Sequence, residues 1–286
     1  MSNVRIMVLT SLAMLAFAGN SLLCRIALTQ THIDAASFTT IRLTSGAVML
    51  WVVIQLRSGT YNGRGNWWSA LALFFYAAGF SFAYVGLPAA SGALLLFGAV
   101  QATMIGYGIW AGEHLLQRQV IGLLFAFGGI VGLLLPSLSA PPLSYSLLMV
   151  SAGVAWGIYS LRGKGAGDPT CVTAGNFLRA ASIAVVVNAL MLKDISLDVA
   201  GFWLAVSSGA LTSGLGYAIW YSALPALKAT DAAAVQLSVP ILASLGGIVF
   251  LGENITLRLA LTSVAILGGI ALVILTKQHP PEKPQN

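Results

Sequence analysis

Long apolar runs separated by short polar stretches recur along the whole chain. Ten of them lie near residues 4–28, 35–56, 67–86, 90–111, 117–136, 143–162, 170–192, 199–222, 230–251 and 257–276. A run of about 20 apolar residues is long enough, as a helix, to cross a hydrocarbon core of about 30 Å, and a helix satisfies its own backbone polar groups there. The runs are continuous and rich in Leu, Ala and Gly, without the short alternating segments of a membrane β-barrel. The pattern therefore predicts an all-α integral membrane protein of ten transmembrane helices. Composition agrees. The chain is 58% hydrophobic and 8% charged, with a mean hydropathy of +0.88, whereas soluble domains carry about 25% charged residues.

The landmarks of one half recur in the other. Tyr84, Leu87 and Pro88 answer to Tyr221, Leu224 and Pro225 at an offset of 137, and Gly106, Gly112 and Glu113 answer to Gly246, Gly252 and Glu253 at an offset of 140. Arg25 and Arg162, and Arg42 and Arg179, keep the first offset; Arg118 and Arg258 keep the second. Charged residues in register across apolar sequence mark a duplication rather than shared hydrophobicity. The boundaries that follow are 1–140 for the first five-helix unit and 141–286 for the second, which includes a short tail. Five spans is an odd number, so the second unit enters the membrane upside down. Two inverted units enclosing a site near the midplane is an architecture of secondary transporters.

Charge fixes the expected orientation. With a cytoplasmic amino terminus, the inner segments hold Arg5, Arg57, Arg64, Arg118, Arg162, Lys164, Lys228, Lys277 and Lys283, and the outer ones hold Arg25, Lys193 and Arg258. That asymmetry follows the positive-inside rule and places both termini in the cytoplasm. The net charge of +6 is thus a topology signal, and no basic patch supports nucleic-acid binding. Arg5, the apolar run after it and Ala16-Phe17-Ala18 imitate a signal peptide. Ala18, however, matches Ala155 deep in the second unit, so the segment reads as the first helix.

Soluble-enzyme motifs fail. Gly163-Lys164-Gly165 lacks the Ser or Thr and the glycine spacing of a phosphate loop and reads as a linker. Cys24 and Cys171 have no metal or redox spacing. His32, His114 and His279 lie at span edges or in the tail. An intramembrane enzyme is the alternative from another class; it needs a nucleophile or metal set that the sequence does not display. No metal or other cofactor is expected.

The ten spans as two five-helix units, the leucine-proline pair before helix 9, Pro240 within it and Gly252-Glu253 closing it resemble the drug/metabolite transporter superfamily, EamA type, over nearly the whole chain. Within it the overall pattern is most similar to the YddG-type exporters of aromatic amino acids. Val100 departs from the pattern, standing where the second unit has Pro240. The resemblance implies an inner-membrane exporter working by alternating access, with an apolar, aromatic-lined cavity between helices 1, 3, 4, 6, 8 and 9. Its partners are membrane lipid and a small-molecule substrate, aromatic amino acids first, and it is a monomer or a homodimer. A drug or other metabolite exporter of the same superfamily is the alternative cargo reading. A channel is disfavoured because no ring of charges or repeated filter sequence is visible.

Candidate substrate contacts come from asymmetry between the units, because inverted copies cannot hold a small asymmetric ligand identically. Phe17 faces Val154 in the repeat, Asn20 faces Gly157, Trp156 faces Gly19, Gln101 faces Ile241 and Trp220 faces Ala83. Gln236 joins Asn20 and Gln101 as an apolar-span amide that needs a partner. Ser213, Tyr217 and Tyr221 share a face of helix 8 by four-residue spacing, as Tyr76, Phe80 and Tyr84 do on helix 3. Pro88, Pro225 and Pro240 are the candidate gating and kink positions, since proline cannot donate a backbone hydrogen bond. Gly128 and Gly132 on helix 5, with Ala265 and Gly269 on helix 10, are expected to let helices approach closely. Duplicated residues are expected to serve the fold or the gates: Glu113 and Glu253 with Arg118 and Arg258 at the interface, and Arg42 with Arg179 inside the spans. Arg42 is the better carboxylate contact of that last pair. All eight acids, Asp34, Glu113, Asp168, Asp194, Asp198, Asp231, Glu253 and Glu282, fall in loops, tails or span edges, so no ion-coupling site is evident.

Overall fold

The computed structural model describes residues 3–57, 64–112, 115–135, 140–163, 167–191, 195–223, 226–227 and 235–275. The helices are α1 (Asn3–Gln30), α2 (Ala35–Leu56), α3 (Trp67–Tyr84), α4 (Ala89–Trp110), α5 (Gln117–Leu134), α6 (Leu143–Arg162), α7 (Pro169–Leu190), α8 (Val199–Ala223), α9 (Ser238–Leu251) and α10 (Leu257–Leu275). Eight of them are long and apolar enough to cross a membrane. The other two are α3, whose 18 residues include Trp, Tyr and Ser, and α9, described over 14 residues. The protein is an all-α membrane protein of many spans.

Polar residues start several helices where the apolar runs begin. The Asp34 carboxylate accepts from the Ala36 and Ser37 N–H groups at the head of α2, and Asn66, Asp168 and Asp198 do the same for α3, α7 and α8. Each satisfies donors that the first helical turn leaves unpaired. At the other end, Gly112 after α4 and Gly252 after α9 both take positive φ, 94° and 64°, a backbone conformation that favours glycine. The duplication seen in the sequence thus reaches the helix ends.

Packing follows the repeat. Helix α6 lies on α3 and α4, while α1 lies on α8 and α9; α2 pairs with α7, and α5 with α10. Exchanging the two halves of the chain maps each contact onto another in the set. Beyond those near Asn20 and Arg42, many long-range polar bonds sort into two ends of the bundle. One end holds Asp34 with Ser196, Arg25 with the carbonyls of Tyr84 and Val85, and Arg258 with that of Gly132. The other holds Arg57 with Asp168, Asn66 with Asn176 and Arg162 with Ser69.

The helix α5–α10 seam differs in register from its expectation. A Cβ on Gly122 would come 2.5 Å from the Gly269 carbonyl oxygen and one on Gly129 2.7 Å from Ile266, whereas one on Gly128 meets nothing within 4 Å. The close approach is therefore made by Gly122, Gly129 and Gly269. Glu253 also takes a different partner from the one expected. It lies 3.6 Å from Arg25, and Arg258 turns to the end of α5 instead. Glu113 lies outside the described residues.

Candidate functional site

Between α1, α3, α4, α6, α8 and the turn before α9 lies a small cavity of about 30 Å³, lined by Phe17, Asn20, Ser21, Tyr76, Phe80, Leu96, Phe97, Trp156, Thr212, Ser213, Tyr217 and Gln236. Helical spacing brings these side chains together: Phe17, Asn20 and Ser21 share one face of α1, and Tyr76 and Phe80 one face of α3. Trp156 is the hub of the wall. Its ring centroid lies 4.7 Å from Tyr76, 5.1 Å from Tyr217 and 5.4 Å from Tyr159, and Phe17 meets Tyr217 edge-on at 5.7 Å.

Helix α8 is not uniform. Residues Ser208–Leu215 form a π-helical stretch, a local widening often found at functional sites. It lies in close contact with α2: a Cβ on Gly209 would stand 2.1 Å from the Arg42 carbonyl oxygen and 2.0 Å from Ser45 Oγ. The widened turn presents Ser208 and Thr212 to Asn20, whose Oδ1 accepts hydrogen bonds at 2.7 and 3.3 Å. It also presents Ser213 to Arg42. Four-residue spacing therefore holds for Ser213 and Tyr217, both in the cavity wall, but does not bring Tyr221 there.

Of the residues expected to meet substrate, Phe17, Asn20, Trp156, Tyr217 and Gln236 line the cavity. Tyr84, Gln101, Trp220 and Tyr221 do not. Tyr84 is fully buried at the α3–α4 junction, where its ring fills the space above Gly92 and its hydroxyl donates to the Ala89 carbonyl. Gln101 is buried on α4, Trp220 packs edge-on against Phe17, and Tyr221 packs against the hydrophobic core. Pro88 sits at the α3–α4 turn immediately before α4. Pro240 lies in the first turn of α9, after a break at Leu237. A proline N–H is not needed in a first turn, so the discontinuity precedes Pro240 rather than bending the helix interior. Pro225 lies outside the described residues.

Beside the cavity Arg42 stands out by its burial. Its side chain is 1% exposed and lies directly behind the cavity wall. Nε donates to Ser213 Oγ at 3.3 Å and Nη2 to Tyr76 Oη at 3.1 Å, and the guanidinium carbon stands 4.8 Å from the Phe80 ring centroid. Nη1 is buried without a hydrogen-bond partner. Its repeat mate Arg179 is differently placed. That residue is half-buried, donates to the Arg64 and Gly175 carbonyls and stacks on Trp67. Among the described residues no group of three or more His, Cys, Asp and Glu is positioned to hold a metal.

A larger groove of about 700 Å³ runs between the amino-terminal half of α1 and α9. Its polar lining is limited to Thr10, Ser11 and Ser238. The small cavity, where amides, hydroxyls and rings converge beside a buried charge, is the better candidate site.

The model of the EamA-like transporter family matches residues 143–275. The chain is 56% identical to an uncharacterized protein of Pseudomonas aeruginosa over 271 residues, which is 94% of each chain. It is 28% identical to the threonine/homoserine exporter RhtA of Salmonella typhimurium over 174 residues, 58% of this chain and 59% of that one. An uncharacterized transporter of Archaeoglobus fulgidus is 29% identical over 174 residues, 58% of this chain and 60% of that one. A solved crystal structure with 19% sequence identity superposes with a TM-score of 0.67, covering 95% of this chain and 98% of that one, a likeness of fold alone.

Proposed function

Because the chain belongs to the EamA-like transporter family, within the drug/metabolite transporter superfamily, we propose that it exports a metabolite of amino-acid size across the bacterial inner membrane by alternating access. The protein is a transporter, not an enzyme. The observation that carries the reading is the cavity of about 30 Å³ closed inside the bundle by Trp156, Tyr76 and Tyr217, with Asn20 and Gln236 in its wall. Its volume matches about one water molecule, so a solute of amino-acid size must widen it to pass.

The cargo reading is broader than aromatic amino acids. The relative named as a threonine/homoserine exporter favours small polar amino acids and related metabolites, while the ring-lined wall keeps aromatic amino acids in the set. The narrower likeness to YddG-type exporters rests on the overall pattern of the sequence. The ten helices act as two inverted five-helix units, residues 1–140 and 141–286, with both termini cytoplasmic. The test is flux in proteoliposomes over a panel of small polar amino acids, aromatic amino acids, drugs and sugar nucleotides. Saturable flux of the amino acids alone is expected; flux of drugs or sugar nucleotides in their place overturns the cargo class.

A further inference from the structure

The exporter reading leaves a positive charge unexplained inside the bundle. Arg42 lies two turns into α2, about 10 Å along the helix from Ala35, and is as buried as any core leucine. A guanidinium stays charged at any accessible pH and has five N–H donors. Here Nε and Nη2 reach Ser213 and Tyr76, while the two N–H groups of Nη1 reach nothing. The ion pairs among the described residues join Arg25 to Glu253 and Arg57 to Asp168, and neither involves Arg42. A charge at membrane depth with unused donors and no acid beside it is costly to keep and marks a functional position.

Position says what the charge serves. Arg42 does not itself line the cavity, but Ser213, Tyr76 and Phe80, which it touches, all do. The cavity is too small for an amino acid, so the wall must yield when a solute enters. Displacement of Tyr76 and Ser213 is the movement that both enlarges the space and uncovers the guanidinium. What an uncovered, unpaired guanidinium takes up is a planar anion, which it binds through two parallel N–H bonds. In the same wall the rings of Trp156 and Tyr217 offer faces to a cationic end of the same solute.

The geometry points to Arg42 as the anion subsite of the transport path, taking the carboxylate of the exported solute in exchange for its bonds to Tyr76 and Ser213. This rests on the exporter reading and adds to it a requirement for a carboxylate. Duplication in sequence does not contradict it. Arg179 is satisfied by backbone carbonyls at one end of the bundle, so the two copies of the motif have separated in role.

The test compares each probe with its carboxamide: threonine with threoninamide, and phenylalanine with phenylalaninamide, in proteoliposomes at zero membrane potential. Wild type is expected to move the acids at least about tenfold faster, the effect of one lost charge-assisted bond. Arg42→Gln should remove that preference by lowering acid flux, and Arg42→Lys, which keeps charge without the fork, should fall between. Elution volume and melting temperature establish that the variants fold. If Arg42→Gln does not fold, the wild-type acid-to-carboxamide ratio decides. Equal flux of acid and carboxamide in wild type, or an undiminished preference in folded Arg42→Gln, makes Arg42 a structural tie between α2, α3 and α8 and overturns the inference while the exporter reading stands. Wild type that moves none of the four probes overturns both.

Discussion

Glu253 accepts hydrogen bonds from the backbone N–H of Ala89 at both carboxylate oxygens, each 2.9 Å away and 164 residues distant in sequence. The carboxylate thereby caps the first turn of α4, where the helix dipole favours a negative charge. Arg25 completes the junction, standing 3.6 Å from Glu253 while donating to the carbonyls of Tyr84 and Val85. Three separate stretches, the last turns of α1, the α3–α4 turn and the second residue after α9, are tied at one end of the bundle.

If that junction is a seal, its loss opens a path. Glu253 and Ser91 share a pocket of about 250 Å³, and Ser91 is buried. A cysteine placed at Ser91 in a cysteine-free background is expected to react slowly with a membrane-impermeant thiol reagent, and about fivefold or more faster when Glu253→Ala removes a charge-assisted bond of about 1.5–3 kcal/mol. Equal reactivity in the two backgrounds makes the contact a helix cap with no gating part.

The cavity wall ranks the candidate contacts. Trp156→Ala and Tyr217→Phe alter residues in the wall, whereas Gln101→Ala and Trp220→Phe alter buried residues that do not line the cavity. Apparent affinity in transport is expected to fall about fivefold or more for Trp156→Ala, a loss of about 1 kcal/mol or more, and to stay within about twofold for Gln101→Ala. Saturation curves for the four variants, corrected for the amount of folded protein, decide the order. A larger effect at Gln101 than at Trp156 would move the site towards the other end of α4.

Much of this arrangement was legible in sequence, and the reasons for the rest are local. The family resemblance named the helices around the cavity, and asymmetry between the halves of the repeat pointed to Phe17, Asn20 and Trp156, which line it. Tyr84 and Tyr221 do not line this cavity, because four-residue spacing gives a face of a helix but not how far along it a cavity extends. On α8 the π-helical stretch Ser208–Leu215 ends before Tyr217, so Tyr217 and Tyr221 share a regular helical face. Thr212 and Ser208 left no signal, since their bonds to Asn20 depend on that stretch. Arg42 carried the clearest sign, a charge two turns inside an apolar span. Its match to Arg179 drew it towards a structural reading, and only burial and an unpartnered Nη1 separate the two.

Topology is tested with the polar bonds at the two ends as a guide. A cysteine at Gly65 is a poor probe, because φ there is +64° and a Cβ would stand 2.4 Å from Asn176 Oδ1. Leu116, between α4 and α5, and Ile195, before α8, are exposed and serve instead. The charge asymmetry predicts that Leu116→Cys reacts from the cytoplasmic side and Ile195→Cys from the outer side. Reaction of both from one side contradicts an inverted repeat.

Acid sensitivity should concentrate at the end of the bundle that holds Asp168. Burial there raises the carboxyl pKa, but the Cys171 N–H and the Arg57 guanidinium outweigh it and hold the group below its ordinary value of 3.8. A depressed folded pKa contributes stability above the unfolded value and loses it as pH falls through the folded one. The melting temperature of wild type should therefore drop below about pH 4, and Asp168→Asn should both lower it at neutral pH and flatten that drop. A loss of about 1 kcal/mol is expected for the cap and the partly exposed ion pair together. Asp168→Ser, which keeps a capping oxygen, should recover part of it. Identical acid profiles for wild type and Asp168→Asn would assign the sensitivity elsewhere, with Asp34, also held low by its Ser37, Ser196 and Ala36 bonds against burial, next to examine.

Energy coupling is the last question the acids bear on. A proton-driven carrier generally needs an ionisable group at membrane depth that takes up and releases the proton. Asp34, Asp168 and Asp198 are each committed to a helix start, and Glu253 to Ala89 and Arg25; none of the four lines the cavity. Glu113, Asp194, Asp231 and Glu282 lie outside the described residues. Arg42, the charge beside the cavity, does not release its proton in a protein, so it can hold an anion but not relay a proton. The expected behaviour is export down the solute's own gradient. In proteoliposomes, an imposed pH gradient or membrane potential should leave the steady distribution of a net-neutral amino acid at equal concentrations on both sides. Accumulation against its gradient, driven by either force, would place a titrating acid in the path, and substitution of Glu113 and Glu253 by Gln would then show which one carries it.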